Sequence, residues 1–284
     1  MSRIAIIGAG GKMGYRIVEN LATSEHELLP VEIGPAGIAR LAERGRTPVP
    51  VETAVGHADA VVLAVPDNRI GAVASEIVPM ARPDTMFIVL DAAAPYAGLM
   101  PERPDVTYLV MHPCHPALFA EDNGPEARRD FFGGVAAPQN LVCALMQGPE
   151  SDYARGVALI TQMFAPVLSV YRVTVEQAIL LEPALSETTA ATCISVIHEA
   201  TAEVIRRGVP ADAAWAFILG HMRIELAIIF GEAGYPFSDG ANKAITRAKP
   251  QIFRDDWQRV LDWDRIDESV SEIVGVPVTR RGGR

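Results

Sequence analysis

Met111-His112-Pro113-Cys114-His115-Pro116 is the stretch of this sequence whose residue types most directly suggest chemistry. Imidazole takes and returns a proton near neutral pH, and it is the commonest protein ligand for a divalent metal. His112 and His115 are each followed by proline, which restrains the backbone and holds the rings in fixed directions. Both are candidate proton acceptors. Cys114 offers a thiolate between them, but no zinc-like spacing accompanies it, so it reads as a small buried filler.

Carboxylates come next, in Leu181-Glu182-Pro183-Ala184-Leu185-Ser186-Glu187. Acidic groups in an apolar helix need partners. On an α-helix Glu182 and Ser186 share a face, whereas Glu187 is rotated away unless Pro183 bends the helix. Glu182 is the candidate acid–base carboxylate, with capping or ion pairing as the structural alternative. His221 and Glu225 repeat the i, i+4 spacing and suit either a metal site or a structural pair. Lys243 and Lys249 could bind a substrate carboxylate, but they read more simply as solvated surface.

A cofactor site is written at the start of the chain. Ile4-Ala5-Ile6-Ile7 has the continuous β-branched character of a buried parallel strand, and Tyr15 to Leu21 has helical apolar spacing. Between them lie Gly8, Gly10, Gly11, Lys12, Met13 and Gly14, read as G-x-x-G-x-x-G through Gly8, Gly11 and Gly14. Strand, glycine turn and helix in this order let a pyrophosphate approach the backbone at a helix N-terminus. Glu32, about twenty residues on at the end of the next strand, would accept from ribose hydroxyls and repel a 2′-phosphate, which predicts NAD and not NADP.

These groups need a scaffold, and the rest of residues 1–173 supplies one. Strands are expected at 28–33, 49–51, 58–65, 85–91, 106–111, 140–146 and 167–173, with helices between most of them. That alternation predicts an α/β fold, a Rossmann-type doubly wound parallel sheet. Ligands bind beyond the carboxyl ends of such strands, which places Pro66, Asp67, Asn68, Asp91 to Pro95 and His112 along the same edge as the glycines. Residues 117–138, including Glu121-Asp122-Asn123, read as loop. From Thr174 helices take over, at 174–207, 211–230, 239–253 and 256–260. Residues 1–173 are therefore assigned to cofactor binding and 174–284 to an all-helical substrate and dimerisation domain. The apolar helix Ala213–Phe230 needs more cover than one small domain offers, which predicts a homodimer.

The 284 residues are 49% hydrophobic and 21% charged, the balance of a globular chain. A net charge of −10 argues against nucleic-acid or anionic-membrane partners. The basic cluster at 280–284 reads as a frayed terminus. Three widely spaced cysteines make no disulfide framework, no apolar run reaches membrane-spanning length, and the N-terminus is a strand without a leader pattern. Cytoplasm is the expected location.

Taken together, Gly8 to Gly14, Pro66-Asp67-Asn68, His112-Pro113 and the helical second half resemble the prephenate- and 6-phosphogluconate-dehydrogenase-like superfamily. In prephenate dehydrogenases a His-Pro after the last core strand carries the catalytic histidine, which this resemblance places at His112. The sequence lacks their substrate arginine, and Cys114-His115-Pro116 is foreign to them. A smaller group shares Gly8–Gly14, Leu90–Gly98, His112–Pro116 and Cys143–Pro149, and its characterised members are the D-apionate oxidoisomerases. This resemblance implies NAD-dependent oxidation of a branched sugar acid with rearrangement of its skeleton to 3-oxoisoapionate. A migration of that kind is served by a divalent metal, for which His112 and Glu187 are the first expectation, with Glu182, His221 and Glu225 in reserve. Simple β-hydroxyacid dehydrogenation is the second reading. A non-catalytic NAD(H)-sensing dimer is the third, and it would have no use for two restrained imidazoles at this edge.

Overall fold

The apolar runs form one seven-stranded sheet in a computed structural model that describes residues 1–119 and 124–278. Glu121-Asp122-Asn123 and the basic tail lie outside the described residues. The strands are β1 (Arg3–Ile7), β2 (Glu27–Val31), β3 (Ala60–Leu63), β4 (Met86–Val89), β5 (Thr107–Pro113), β6 (Gln139–Gln147) and β7 (Val167–Arg172). Their order is β2-β1-β3-β4-β5-β6-β7. The first five are parallel, β6 runs antiparallel to β5, and β7 is parallel to β6. The sheet is thus mostly parallel, with one reversal that the sequence pattern did not announce.

Both faces of the central strands are buried, which is why their sequences are continuously apolar instead of alternating. Ile4, Ile6, Val62, Ile88 and Leu109 pack on one face beneath α1 (Lys12–Asn20) and α6 (Glu150–Met163). Residues of opposite parity, such as Ala5, Val61 and Phe87, are equally buried on the other, where α3 (Val51–His57) packs against β1 and α4 (Asp67–Ile77) packs beside α3. Each buried Ile or Leu contributes about 1.5–3 kcal/mol relative to exposure. The expected strand at 49–51 is absent. Val49 makes one bond to the Pro30 carbonyl, and Pro50 then opens helix α3, because its fixed φ suits a helix start and its missing N–H removes a ladder donor.

The chain folds as two compact units, Met1–Leu180 with Asp267–Arg284, and Leu181–Ile266. In the first, α2 (Pro35–Ala42) follows β2, α5 (Ala93–Tyr96) follows β4, and α7 (Val175–Ile179) packs on α5 and β6. Tyr96 donates a hydrogen bond of 2.6 Å to Asp267. The long helix expected at 174–207 is interrupted by a π-helical segment, Leu180–Ala191, followed by α8 (Thr192–Arg206). Pro183 cannot donate a helical bond, and the hydroxyls of Thr188 and Thr189 donate to the Pro183 and Ala184 carbonyls five residues back.

In the second unit α8 packs on α9 (Ala211–Ile229), and α10 (Asp239–Ile252) follows. The short helix expected at 256–260 is a 3₁₀ turn, Trp257–Leu261, and a further, unexpected helix, α11 (Trp263–Val274), leads from Asp267 onward back into the first unit. Among the described residues no helix is long and apolar enough to cross a membrane.

Candidate active site

Parallel register brings the carboxyl ends of β1 to β5 to a common edge, so Gly8, Glu32, Pro66, Asp91 and His112 line up there. Gly8 has φ +81°, and a Cβ on it would lie 2.5 Å from the Ala64 carbonyl oxygen. Gly14 lets α1 rest on the turn, since a Cβ there would come within 2.2 Å of the Gly8 oxygen. Gly11 is the N-cap of α1 and supplies no side-chain cap, so the first turn keeps its donors and its positive dipole end for an anion. Glu32 lies against this turn. Its carboxylate accepts from the backbone N–H of Gly10 at 2.9 Å, Ile33 at 2.9 Å and Gly34 at 2.8 Å. Lys12 is exposed, Met13 packs against the core, and Pro66 caps α4 with Pro66, Asp67 and Asn68 all exposed.

His112 lies within β5 and is half-buried. Its Nδ1 is 3.0 Å from the Leu90 carbonyl oxygen. A carbonyl can only accept, so Nδ1 carries the proton and Nε2 is the basic nitrogen. Asp91, the next residue after Leu90, is buried and accepts from the Ala93 N–H at 2.7 Å. A carboxylate oxygen of Asp91 and a ring nitrogen of His112 lie within 4.8 Å of one another. The sequence places Asp91 on this edge, and its position just after a core strand is the signal that points to it.

His115 sits beyond the strand with φ +59°, a left-handed conformation uncommon for a non-glycine residue. Its ring meets the His112 ring edge-on at 6.1 Å, and its Nδ1 donates to the Phe132 carbonyl over 3.1 Å. Cys114 is exposed, a correction to the buried filler expected from its size. Burial pushes the Cys143 thiol up to about 12, so that residue packs as an apolar group.

The loop that meets His115 is latched to α1. Asp130 is buried and accepts from the N–H groups of Val135, Ala136 and Ala137, and it pairs with Arg16 at 3.2 Å. Arg16 also donates to the Gly133 carbonyl. Burial alone would raise the Asp130 pKa, but these backbone donors and Arg16 outweigh it and hold the carboxyl below its ordinary value. Its stabilisation is therefore present above the unfolded carboxyl pKa and lost as pH falls through the lower folded value. Asp130→Ala is expected to cost ~2 kcal/mol by leaving these donors unmet. Thermal melts at neutral and acidic pH would check this: the gap between variant and native protein should close as the medium is acidified.

Glu182 and Glu187 lie in the second compact unit, on the π segment. There the i, i+5 hydrogen-bond pattern around Pro183 puts Glu182 and Glu187 on one face, the alternative that the sequence left to a bend at Pro183. Glu182 is half-buried and Glu187 exposed. His221 stacks on Phe217 with ring centroids 3.8 Å apart, and its Nδ1 donates to the Phe217 carbonyl.

Comparison with known proteins places the chain. The family described as "Phosphogluconate dehydrogenase (decarboxylating) C-term" matches residues 120–274, and "NADP oxidoreductase coenzyme F420-dependent" matches residues 3–95. A D-apionate oxidoisomerase from Cupriavidus necator is 51% identical over 95% of this chain and 99% of its own length. Another from Rhizobium rhizogenes is 48% identical over 96% of this chain and all of its own. A crystal structure of a semialdehyde dehydrogenase NAD-binding protein from Cupriavidus necator, in complex with calcium and NAD, has a TM-score of 0.93 at 51% identity, covering 96% of this chain and 99% of that one. Nearly full-length identity of this level shows the family: the chain belongs to the D-apionate oxidoisomerases, a group of oxidoreductases.

Proposed function

We propose that this protein is an NAD-dependent oxidoisomerase that oxidises D-apionate and rearranges its skeleton to 3-oxoisoapionate in the cytoplasm. The observation that carries the reading is identity of 51% along 95% of the chain to a relative of that name. NAD suits the glycine turn, where a close backbone and an uncapped helix start can receive a pyrophosphate. Glu32 beside Gly10 supports NAD over NADP, because its charge would oppose a 2′-phosphate. Lys12, Met13 and Pro66-Asp67-Asn68 complete the proposed cofactor-binding set.

His112 is the proposed proton acceptor. With Nδ1–H held by Leu90, Nε2 is set to take the hydroxyl proton as NAD, when bound, accepts the hydride from the same carbinol. His115, edge-on to His112, is the alternative acceptor. Asp91 and His112 offer an oxygen and a nitrogen donor close together, a set that suits a divalent ion, which would supply Lewis acidity and hold ketone and alkoxide together; Nε2 has one lone pair, so where it holds the ion the proton goes to His115 instead. Glu182 as acid–base group and Glu187 as a further ligand are proposed on residue type and their shared face of the π segment. We assign residues 1–173 to the cofactor and 174–284 to substrate and dimer formation. Phe217, Leu219, Ile229 and Phe230, all more than 60% exposed on or beside α9, support a second copy of this chain as their cover.

NADH formation on D-apionate, with product identification and with or without EDTA, tests the reading. Turnover abolished by EDTA and restored by a divalent salt is expected. Turnover indifferent to EDTA would leave a simple dehydrogenase without the metal, and NAD binding without turnover on any sugar acid would leave a sensor.

A further inference from the structure

Phe132 belongs to none of the roles assigned above, yet it meets two of the residues in them. The Lys12 ammonium, from the first position of α1, sits 3.1 Å from the centre of the Phe132 ring. The same ring lies 5.7 Å from the His115 ring, edge to face, and its backbone carbonyl receives the His115 Nδ1–H. Phe132 is itself held, because Asp130 and Arg16 latch its loop to α1.

Arg40 donates to the Gly10 carbonyl of this turn, and the two cations of α1 itself are treated differently from each other. Arg16 is paired with a buried carboxylate, so its charge is spent inside the protein. Lys12 has no carboxylate partner among the described residues and rests on an aromatic face. A ring quadrupole attracts an ammonium without neutralising it. The lysine side chain is therefore ordered while its charge stays available to an anion, and ordering beforehand removes a cost that binding would otherwise carry.

We propose that Phe132 is a positioning residue for the cofactor, holding the Lys12 ammonium ready for the pyrophosphate of a dinucleotide. This rests on the reading of the glycine turn as an NAD site. Phe132 acts through Lys12 and touches no reacting atom.

The test is calorimetric titration of the full-length protein with NADH, together with steady-state KM and kcat. Phe132→Leu is expected to weaken NADH binding and raise the KM for NAD roughly fivefold with kcat little changed, and Phe132→Trp to bind as the native protein does. Lys12→Ala should weaken binding at least as much, and adding Phe132→Leu to it should change nothing further. Phe131→Leu, on the exposed neighbouring residue, controls for disturbance of the loop. Native binding in Phe132→Leu, or a further loss in the double variant, would overturn the proposal while leaving the NAD site intact. Absence of NADH binding by the native protein would instead overturn the reading beneath it.

Discussion

His112→Ala is expected to lower turnover by about 10²–10⁴-fold, the usual worth of a positioned general base, while NADH binding is retained. The argument is geometric. The imidazole is fixed at Nδ1 by the Leu90 carbonyl, and Asp91, which follows Leu90, is the carboxylate nearest in the chain to that anchor. Removing the ring deletes Nε2, the one free ring nitrogen proposed either to take the proton or to hold an ion, whereas the glycine turn is untouched. His112→Asn should not rescue activity, since an amide cannot take the proton at neutral pH. Single-turnover NADH formation and NADH titration on the same sample separate the two effects. A variant that keeps a tenth or more of native turnover would sink the assignment and move the acceptor role to His115.

Gly14→Ala carries the second large effect, and it acts through backbone contact. The added Cβ would lie 2.2 Å from the Gly8 oxygen and 2.9 Å from the Ala9 Cα, with no flexible side chain to give way. Helix α1 must move off the turn, which we expect to destabilise the protein by about 1–3 kcal/mol. The shift also withdraws the N-terminal donors of α1 from the dinucleotide, so NADH affinity should fall by at least an order of magnitude, as for a lost set of charge-assisted hydrogen bonds. Gly11→Ala, where the nearest atom would be 3.1 Å away, is expected to be milder. Differential scanning fluorimetry with and without NADH reads both consequences, and native-like affinity in Gly14→Ala would refute the packing argument.

Much of this was legible before the structure. Continuous apolar runs rich in β-branched residues, such as Ile4–Ile7 and Ala60–Leu63, read as strands buried on both faces, and that calls for helices on either side of a parallel sheet. Given the sheet, the carboxyl-end rule put the glycines, Glu32, Asp91 and His112 on one edge without any knowledge of contacts. His112 and its proline were visible as residue types with a stated chemistry.

Other features were out of reach because they depend on atoms far apart in sequence. The Nδ1 proton of His112 is assigned only by the Leu90 carbonyl across the neighbouring strand. Asp130 looked like one more loop acid until Arg16, 114 residues away in sequence, was seen beside it. Phe132 carried no signal at all, since an aromatic residue in a loop has no periodicity to read. The face shared by Glu182 and Glu187 needed the π register, which Pro183 permits and the hydroxyls of Thr188 and Thr189 complete. Local patterns in the sequence thus determined the core strands and the edge that gathers the candidate groups, because strand burial, glycine turns and helix periods are short-range properties. Tertiary structure alone decided tautomer, latch and register, because each is set by a partner that only folding brings near.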